Sequence, residues 1–351
     1  MLGIDSRAAR AAWTVFLVAL ALALSYWIRR TLLIFTAALL VAYLLSPLVS
    51  LVDRVAKGRF PRNLSLGVVY VLLIAALGTA LGAVGSRVVE EGANLASRLP
   101  ELIRGLDRPM DLPLPEWMTP VKISLLAALR SFVEQHSKDA LPLIQRAGRE
   151  LLALLGNLAF VILVPILSFF FLKDGAEMRE NLIAWIPDGP SRRLLEEIFG
   201  DVHLLLAQFM RALVILSAAT FASYSLFFAA AGVPYAVLLA TIAGVLEFIP
   251  VAGPLSAAAV ALLVAGFSGY PHLLWMVVFL IAYRLFQDYV LQPYLMSSGV
   301  EVHPLLIIFG VLAGEQVGGV PGMFLSIPVI ATLRVVFMRL RKTRTSEDLG
   351  G

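Results

Sequence analysis

The chain has 351 residues, of which 60% are hydrophobic and 15% are charged. In soluble domains about a quarter of the residues are charged. The formal net charge of +4 is small, and the basic residues lie beside apolar runs, which predicts contact with membrane lipids and argues against a nucleic-acid partner. The absence of cysteine excludes disulfides, thiolate metal sites and cysteine nucleophiles. Several apolar runs exceed the roughly 18 residues that mark a membrane span. The sequence therefore predicts an all-α, polytopic membrane protein.

Residues 1–85 predict three N-terminal transmembrane helices. The spans cover about residues 11–28, 31–52 and 64–85. The loop after the second span carries four basic residues, which are Arg54, Lys57, Arg59 and Arg62. By the positive-inside rule this loop is cytoplasmic, and the N-terminus is then cytoplasmic too. Arg29 and Arg30, which fall between the first two spans, are interpreted as anchors at the opposite interface.

Residues 86–150 predict an extracytoplasmic amphipathic helical region. Apolar residues recur there at helical spacing among charged ones. The stretch DRPMDLPLPEWMTP (107–120) divides the region in two because prolines break helices. Two interpretations stay open: the helices pack on their neighbours, or they form a gate or an oligomer contact.

Residues 151–340 predict a C-terminal transmembrane transport region, followed by a cytoplasmic tail over 341–351. A fourth span (151–172) leads into a charged cytoplasmic segment, 173–203. The remaining apolar runs cover about 204–231, 234–266, 272–292 and 303–338. The second of these would be roughly 50 Å long as one straight helix, whereas the hydrocarbon core measures about 30 Å. We therefore expect about eight transmembrane helices, with two broken helices or re-entrant elements in the C-terminal half.

The first break lies in LEFIPVAGPL (246–255), where Glu247 is followed by Pro250, Gly253 and Pro254. In hydrocarbon every backbone N–H and C=O must find a partner, so such a break is tolerated only inside protein or beside a water-filled cavity. A carboxylate at that depth costs about 2.5–3.5 kcal/mol. The combination predicts a substrate or ion site made by broken helix ends and a carboxylate. The alternative is that Glu247 is a structural hydrogen-bond hub.

Two further stretches contribute candidate binding residues. The last run, 303–338, is also too long for one span and is interrupted by GEQVGGVPG (314–322), which places Glu315 and Gln316 among glycines. The stretch AYRLFQDYVLQP contains Arg284 and Asp288. Residues four apart share a helix face, so an ion pair between Arg284 and Asp288 is expected. The alternatives are that Asp288 only neutralises Arg284 and that Glu315 lies at an interface.

Two motifs are candidates for gating or structural roles. Asp174 and Gly175 in FLKDG follow the fourth span, and the alternative for Asp174 is a plain turn residue. His303 and Pro304 in EVHPLL open a helix, since proline is common in a first helical turn. His303 is either a helix cap or interface residue, or part of a proton relay.

These stretches together resemble the AI-2E family of transporters. The resemblance is carried by FFFLKDG, EFIPVAGP, DYVLQPYLMSSGVEVHPLLIIFGVLAGEQVGGVPG and IPVIATLRVV, and it extends from the first span to about Arg339. It implies a bacterial or archaeal inner-membrane protein of about eight spans that forms homo-oligomers, with pentamers expected. The family often has Asn near Gln287 and Asp288, so this chain is more acidic there, and its SSGVEV stretch lacks the basic residue of the commoner version.

The resemblance and the residues together predict a secondary transporter. It would export a small polar solute such as autoinducer-2, or exchange Na⁺ or Li⁺ for H⁺. The alternative is a passive pore or structural membrane oligomer. No cofactor is expected besides Na⁺ or H⁺ as the coupling ion, and neither a GxxxxGK[ST] phosphate loop nor an HExxH metal motif occurs. We also expect no enzymatic activity, because no nucleophile–base set is evident.

The arginines beside the apolar spans predict that segment 173–203 and the C-terminus are both cytoplasmic. Reporter fusions at Arg193 and at Arg344 should therefore report the same, cytoplasmic side of the membrane. Opposite sides for the two fusions would contradict an even number of crossings between them, and with it the eight-span topology.

Overall fold

The computed structural model describes residues 6–56, 61–104, 162–295 and 303–350, and within these ranges the chain is helical and contains no strand. The helices are α1 (Ser6–Trp27), α2 (Arg29–Val55), α3 (Arg62–Ala80), α4 (Ser86–Arg104), α5 (Val164–Ala184), α6 (Pro190–Ala231), α7 (Ala236–Leu246), α8 (Ala252–Phe267), α9 (Leu273–Phe286), α10 (Gln292–Leu295) and α11 (Pro304–Gly350). Short π-helical turns join α3 to α4 (Leu81–Gly85) and α9 to α10 (Gln287–Leu291). The prediction of an all-α fold is confirmed.

Length and composition make the chain an integral membrane protein. In the described ranges, four helical stretches are long and apolar enough to cross a bilayer: Arg29–Val55, Pro190–Ala231, Leu273–Leu295 and Pro304–Lys342. Shorter apolar helices accompany them at Ala12–Trp27, Arg62–Ala76, Ala236–Leu246 and Ala252–Phe267. The count of about eight membrane-spanning helices stays a prediction.

The N-terminal half differs from the sequence-based boundaries in two places. Arg29 and Arg30 begin α2 instead of forming a loop, and the guanidinium of Arg29 lies 4.2 Å from the ring centre of Tyr26. Helix α5 continues to Ala184, so Asp174 and Gly175 lie inside a helix and the turn interpretation of Asp174 is wrong. The helix formers Ala, Glu, Met and Leu that follow Gly175 outweigh the cost of one glycine.

The amphipathic helix α4 continues α3 and contacts the C-terminal half of the chain. A carboxylate oxygen of Glu91 accepts a hydrogen bond from the backbone N–H of Leu238, at 2.8 Å. Leu238 lies in the first turn of α7, where Tyr235 at the N-cap makes no side-chain cap. Glu91 therefore satisfies one of the free N–H groups of α7. For α4 this contact favours the packing interpretation. The rest of the predicted amphipathic region and residues 151–161 of the predicted fourth span lie outside the described residues.

The first broken run folds into a hairpin of α7 and α8. These helices have 11 and 16 residues, which correspond to about 17 and 24 Å, so neither is as long as the hydrocarbon core of about 30 Å. A Cβ atom at Gly253 would overlap the carbonyl oxygen of Leu246, so the turn requires glycine there. The predicted break is confirmed. Its non-helical residues are 247–251, because Gly253 and Pro254 fit into the first turn of α8.

The second broken run, α11, is also a hairpin. Gly318 and Gly319 leave the helical conformation, with φ −145° and +62°. A Cβ atom at Gly314 would overlap the carbonyl oxygen of Gly322, and one at Gly310 would lie 3.4 Å from the Cβ of Ser326. On a straight helix residues 310 and 326 would be roughly 24 Å apart. Helix α11 therefore consists of two antiparallel arms, 304–317 and 320–350.

Helices α6 and α9 also run antiparallel and form the frame of the site. The hydroxyl oxygens of Thr220 and Tyr283 are 3.0 Å apart, and the rings of Tyr224 and Phe279 are 5.4 Å apart. Small residues of the α7–α8 hairpin pack against this pair, and Ala240 and Ala243 are almost fully buried. Small side chains let membrane helices approach closely.

We expect a disulfide to form between Gly310→Cys and Ser326→Cys, because 3.4 Å between the Cβ positions is near the range of natural disulfides. The natural chain has no cysteine, so the loss of both free thiols on oxidation can be followed with a maleimide–polyethylene glycol reagent. Ala207→Cys with Ser223→Cys, at the same sequence separation on α6, is the matched control and should not cross-link. Persistent free thiols in the first pair would contradict the hairpin.

Candidate functional site

The carboxylate of Glu247 is held between three elements of the C-terminal half. Glu247 directly follows α7, and only 7% of its surface is exposed. The amide Nε2 of Gln287 donates a hydrogen bond to Oε1 at 2.5 Å, and the hydroxyl of Thr220 donates one to Oε2 at 3.2 Å. Thr220 in turn contacts the hydroxyl of Tyr283. The break, α6 and the start of the π turn thus meet at one buried carboxylate.

Arg284 and Asp288 form the ion pair that their spacing predicts. The Nε of Arg284 donates to Asp288 Oδ2 at 2.8 Å, and Gln292 Nε2 donates to Oδ1 at 3.2 Å. Both charged side chains are partly exposed, at 40% and 36%. The geometry therefore favours the interpretation of Asp288 as the partner that neutralises Arg284. Asp288 is absent from the described residues that line the two cavities next to Glu247.

Two cavities adjoin Glu247, with volumes of about 300 Å³ and 410 Å³. The first cavity lies between the first half of α6, the break and α11; its lining includes Gln208, Phe209, Leu213, Val251, Gln292 and Ile327. The second cavity lies between α8 and α9; its lining includes Thr220, Tyr224, Ala258, Leu262, Val277 and Tyr283. Both cavities are also lined by Glu247, Pro254 and Arg284.

The two cavities follow one another along the helix axes. On α6 the first cavity touches residues between 205 and 216, and the second touches residues 220 and 224. On α9 and α10 the order is reversed: the first cavity reaches 292, and the second extends back to 277. Because α6 and α9 are antiparallel, both helices place the two cavities in the same order along the helix axes. Glu247 lies at the level where one cavity ends and the other begins.

The tip of the α7–α8 hairpin is a strained turn. Val251 has φ +63° and ψ −58°, and the N–H of Ala252 donates to the carbonyl of Pro250 at 2.6 Å. This is a γ-turn of the rare, positive-φ kind, and a β-branched residue is disfavoured there by about 1–3 kcal/mol. Val251 and Pro250 both line the first cavity. The strain is therefore located at the wall of the candidate site.

Not every residue of the predicted site comes together. Pro250, Gly253 and Pro254 lie within the hairpin turn next to Glu247. Glu315 and Gln316 lie on the first arm of α11 with exposed side chains, and neither is among the described residues lining the two cavities. The two hairpins touch instead through Phe248 and Phe324, whose ring centres are 5.7 Å apart.

The residues of the two structural motifs are not among the described residues that line the two cavities. His303 Nδ1 accepts a hydrogen bond from the N–H of Leu305 at 3.3 Å, and Pro304 is the first residue of α11, which favours the helix-cap interpretation of His303. Asp174 on α5 lies 3.7 Å from Lys173. The carbonyl of Leu172 in the same motif accepts a hydrogen bond from Arg62 at 2.7 Å, which ties α5 to α3.

Sequence reasoning missed Thr220 and Tyr283. Thr220 stands among several hydroxyl residues in SAATFASYS, and nothing in that pattern distinguishes it. Tyr283 lies four residues before Gln287 and therefore shares its helix face, so this spacing could have pointed to Tyr283. For a metal centre, no group of three or more His, Cys, Asp or Glu side chains occurs within the described ranges.

The strain at Val251 predicts different melting temperatures for two small substitutions. Val251→Gly should melt at a higher temperature than Val251→Ala, because glycine adopts positive φ without the penalty of about 1–2 kcal/mol that alanine keeps. Both variants remove the same exposed side chain, so each is the control for the other. The measurement is thermal unfolding of the purified protein in detergent. An equal or lower melting temperature for Val251→Gly would show that the turn is unstrained.

Comparison with known proteins identifies the family. Residues 15–342 match the family described as AI-2E family transporter. The chain is 24% identical to "Putative transport protein YueF" of Bacillus subtilis over 85% of this chain and 81% of that protein. It is 26% identical to "Putative transport protein YrrI" of Bacillus subtilis over 88% and 86%. It is 27% identical to "Putative permease PerM" of Escherichia coli over 53% of each chain. This chain belongs to the AI-2E transporter family.

Proposed function

We propose that this protein is a secondary transporter in which a small organic solute passes Glu247 in exchange for a proton. The supporting observation is the position of Glu247 between two cavities that follow one another along α6 and α9. A solute that moves from one cavity to the other has to pass the carboxylate and the strained hairpin tip. Autoinducer-2 is the solute that the family resemblance suggests.

The hydrogen bonds around Glu247 suit a group that gains and loses a proton. With Glu247 ionised, the Thr220 hydroxyl donates to Oε2 and the Tyr283 hydroxyl donates to Thr220. With Oε2 protonated, Glu247 donates to Thr220, and the Thr220 hydroxyl turns towards Tyr283. Hydroxyls both donate and accept, so either state is satisfied without moving a heavy atom. Gln287 remains a donor to Oε1 throughout.

Exchange of Na⁺ or Li⁺ for H⁺ fits this site less well. Hard cations bind several oxygen ligands, and one oxygen of the carboxylate already accepts an amide N–H from Gln287. A passive pore is the other alternative. It would not explain a buried titratable carboxylate between the cavities, which is costly in a membrane unless it has a role.

The membrane setting belongs to the same proposal. We place the protein in the inner membrane with both termini cytoplasmic, on the basis of the arginines beside the spans. A homo-oligomer, with pentamers as the expected state, follows from the family resemblance. In this orientation the first cavity lies nearer the cytoplasm, because it touches the part of α6 closest to segment 173–203.

Flux in proteoliposomes tests the proposal. With an imposed pH gradient and an internal pH dye, a panel of polyols, amines, Na⁺ and Li⁺ should contain a substrate whose movement changes the internal pH. Glu247→Gln keeps the size and hydrogen bonding of the side chain but cannot titrate, so it should assemble normally and lose at least about tenfold of proton-coupled flux. Glu180→Gln, on the exposed surface of α5, is the matched control and should transport as the natural protein does.

Three results would contradict the proposal. An unchanged pH profile in Glu247→Gln would make the carboxylate a structural clamp. Solute flux that never moves protons would identify a passive pore. Proton movement driven by Na⁺ or Li⁺ and by no organic solute would identify cation exchange.

A further inference from the structure

We infer that the solute is a small organic monocation with an apolar body, which binds ionised Glu247 and is released when Glu247 takes up a proton. This inference rests on the proposed function and narrows its substrate class to cations, so autoinducer-2, which carries no positive charge, is no longer the expected solute. It depends on the charge balance of the site, on the chemistry of the cavity walls and on the groups that already occupy the carboxylate.

Glu247, Arg284 and Asp288 together carry one negative charge when Glu247 is ionised. Arg284 is matched by Asp288 at 2.8 Å, whereas the two groups that bind the Glu247 carboxylate, Gln287 and Thr220, are neutral. Within the described ranges, no lysine or arginine forms an ion pair with Glu247. An unpaired buried charge is costly, so the ionised state calls for one positive partner.

The other titratable groups that face Glu247 from the helices packed around it do not change this net charge. Helix α6 contributes the phenol of Tyr224, and α9 with its π turn contributes Tyr283, Arg284 and Asp288. The described lining from α8 and α11 is apolar in both cavities. Both tyrosines are uncharged at neutral pH. Glu247, Arg284 and Asp288 therefore sum to one net negative charge with Glu247 ionised and to none with Glu247 protonated.

The walls of the cavities favour an organic cation over a metal ion. Most side chains in the described lining are Leu, Ile, Val, Ala, Pro or Phe, which offer no oxygen ligand. Tyr224 and Tyr283 line the second cavity with ring centres 5.5 Å apart and planes at 81°. Ammonium groups are attracted to aromatic faces, and their apolar substituents gain from contact with such walls.

The exchange is balanced in charge and atoms. The solute cation leaves Glu247 as a proton binds Oε2, so one positive charge replaces another and the site stays neutral. The Thr220 hydroxyl changes from donor to acceptor at the same moment. The proton and the solute compete for one carboxylate, so binding of one displaces the other at this site.

Direct binding tests the inference without requiring transport. Radiolabelled benzyltrimethylammonium would be measured on the purified protein by scintillation proximity between pH 5 and pH 8.5. We expect bound ligand to decrease as pH falls, because the proton occupies Oε2. The uncharged isostere neopentylbenzene should fail to compete, and Na⁺ or Li⁺ in place of K⁺ at constant ionic strength should leave binding unchanged.

Two variants locate the binding. Glu247→Gln should bind the probe at least about tenfold more weakly and lose its pH dependence, while Glu180→Gln binds normally. Tyr224→Leu keeps the carboxylate and removes an aromatic face, so a roughly twofold to fivefold loss with the pH dependence retained is expected. If Glu247→Gln does not fold, the pH dependence and the isostere competition in the natural protein decide the question.

The inference is overturned if neopentylbenzene or a neutral polyol binds as tightly as the cation, if Na⁺ displaces the probe, or if the probe does not bind. Its failure differs from failure of the proposed function. A neutral solute that drives proton movement dependent on Glu247 would leave the transporter standing and remove only the monocation. Absence of proton movement with every solute would remove the transporter itself.

Discussion

The burial of one carboxylate in a membrane protein is the constraint on which the transport region depends. Glu247 is tolerated because Gln287 and Thr220 satisfy both of its oxygens. These donors come from different helices, so the hydrogen bonds that solvate the carboxylate also fix the hairpin to α6 and α9. The same hydrogen bonds therefore both solvate the carboxylate and hold the hairpin in place.

The two hairpins meet the same backbone requirement in similar ways. Each turn brings two chain segments together at glycine: Gly253 against Leu246 in the first hairpin, and Gly314 against Gly322 in the second. Broken helices leave N–H and C=O groups that need partners away from lipid. The N-terminal end of α7 obtains one from Glu91, and the second arm of α11 (320–350) is tied to α6 by ion pairs of Arg339 with Glu197 and Asp201. Contacts between distant parts of the chain thus hold both hairpins.

Composition and periodicity were sufficient for the class of protein and for the location of both breaks. The excess length of two apolar runs, with Pro250 and Pro254 in one and Gly318 and Gly319 in the other, pointed to interruptions because helix length and bilayer thickness are fixed quantities. The Arg284–Asp288 pair and the cap at His303 were also predictable, since both are local contacts set by helix geometry. The end of α5 was not, because one glycine is a weak signal.

By itself, the sequence determined that the chain is a helical membrane protein with a carboxylate at a broken helix. Only the tertiary structure decided that α11 folds back on itself, that Glu315 and Gln316 stay away from Glu247, and that Thr220 and Tyr283 approach it. The physical reason is range: helix periodicity relates residues three or four apart, whereas the partners of Glu247 are separated from it by 27 and 40 positions. The packing of α6, α9 and the hairpin selects those partners. In so apolar a chain, the sequence contains little information about which helices pack against each other.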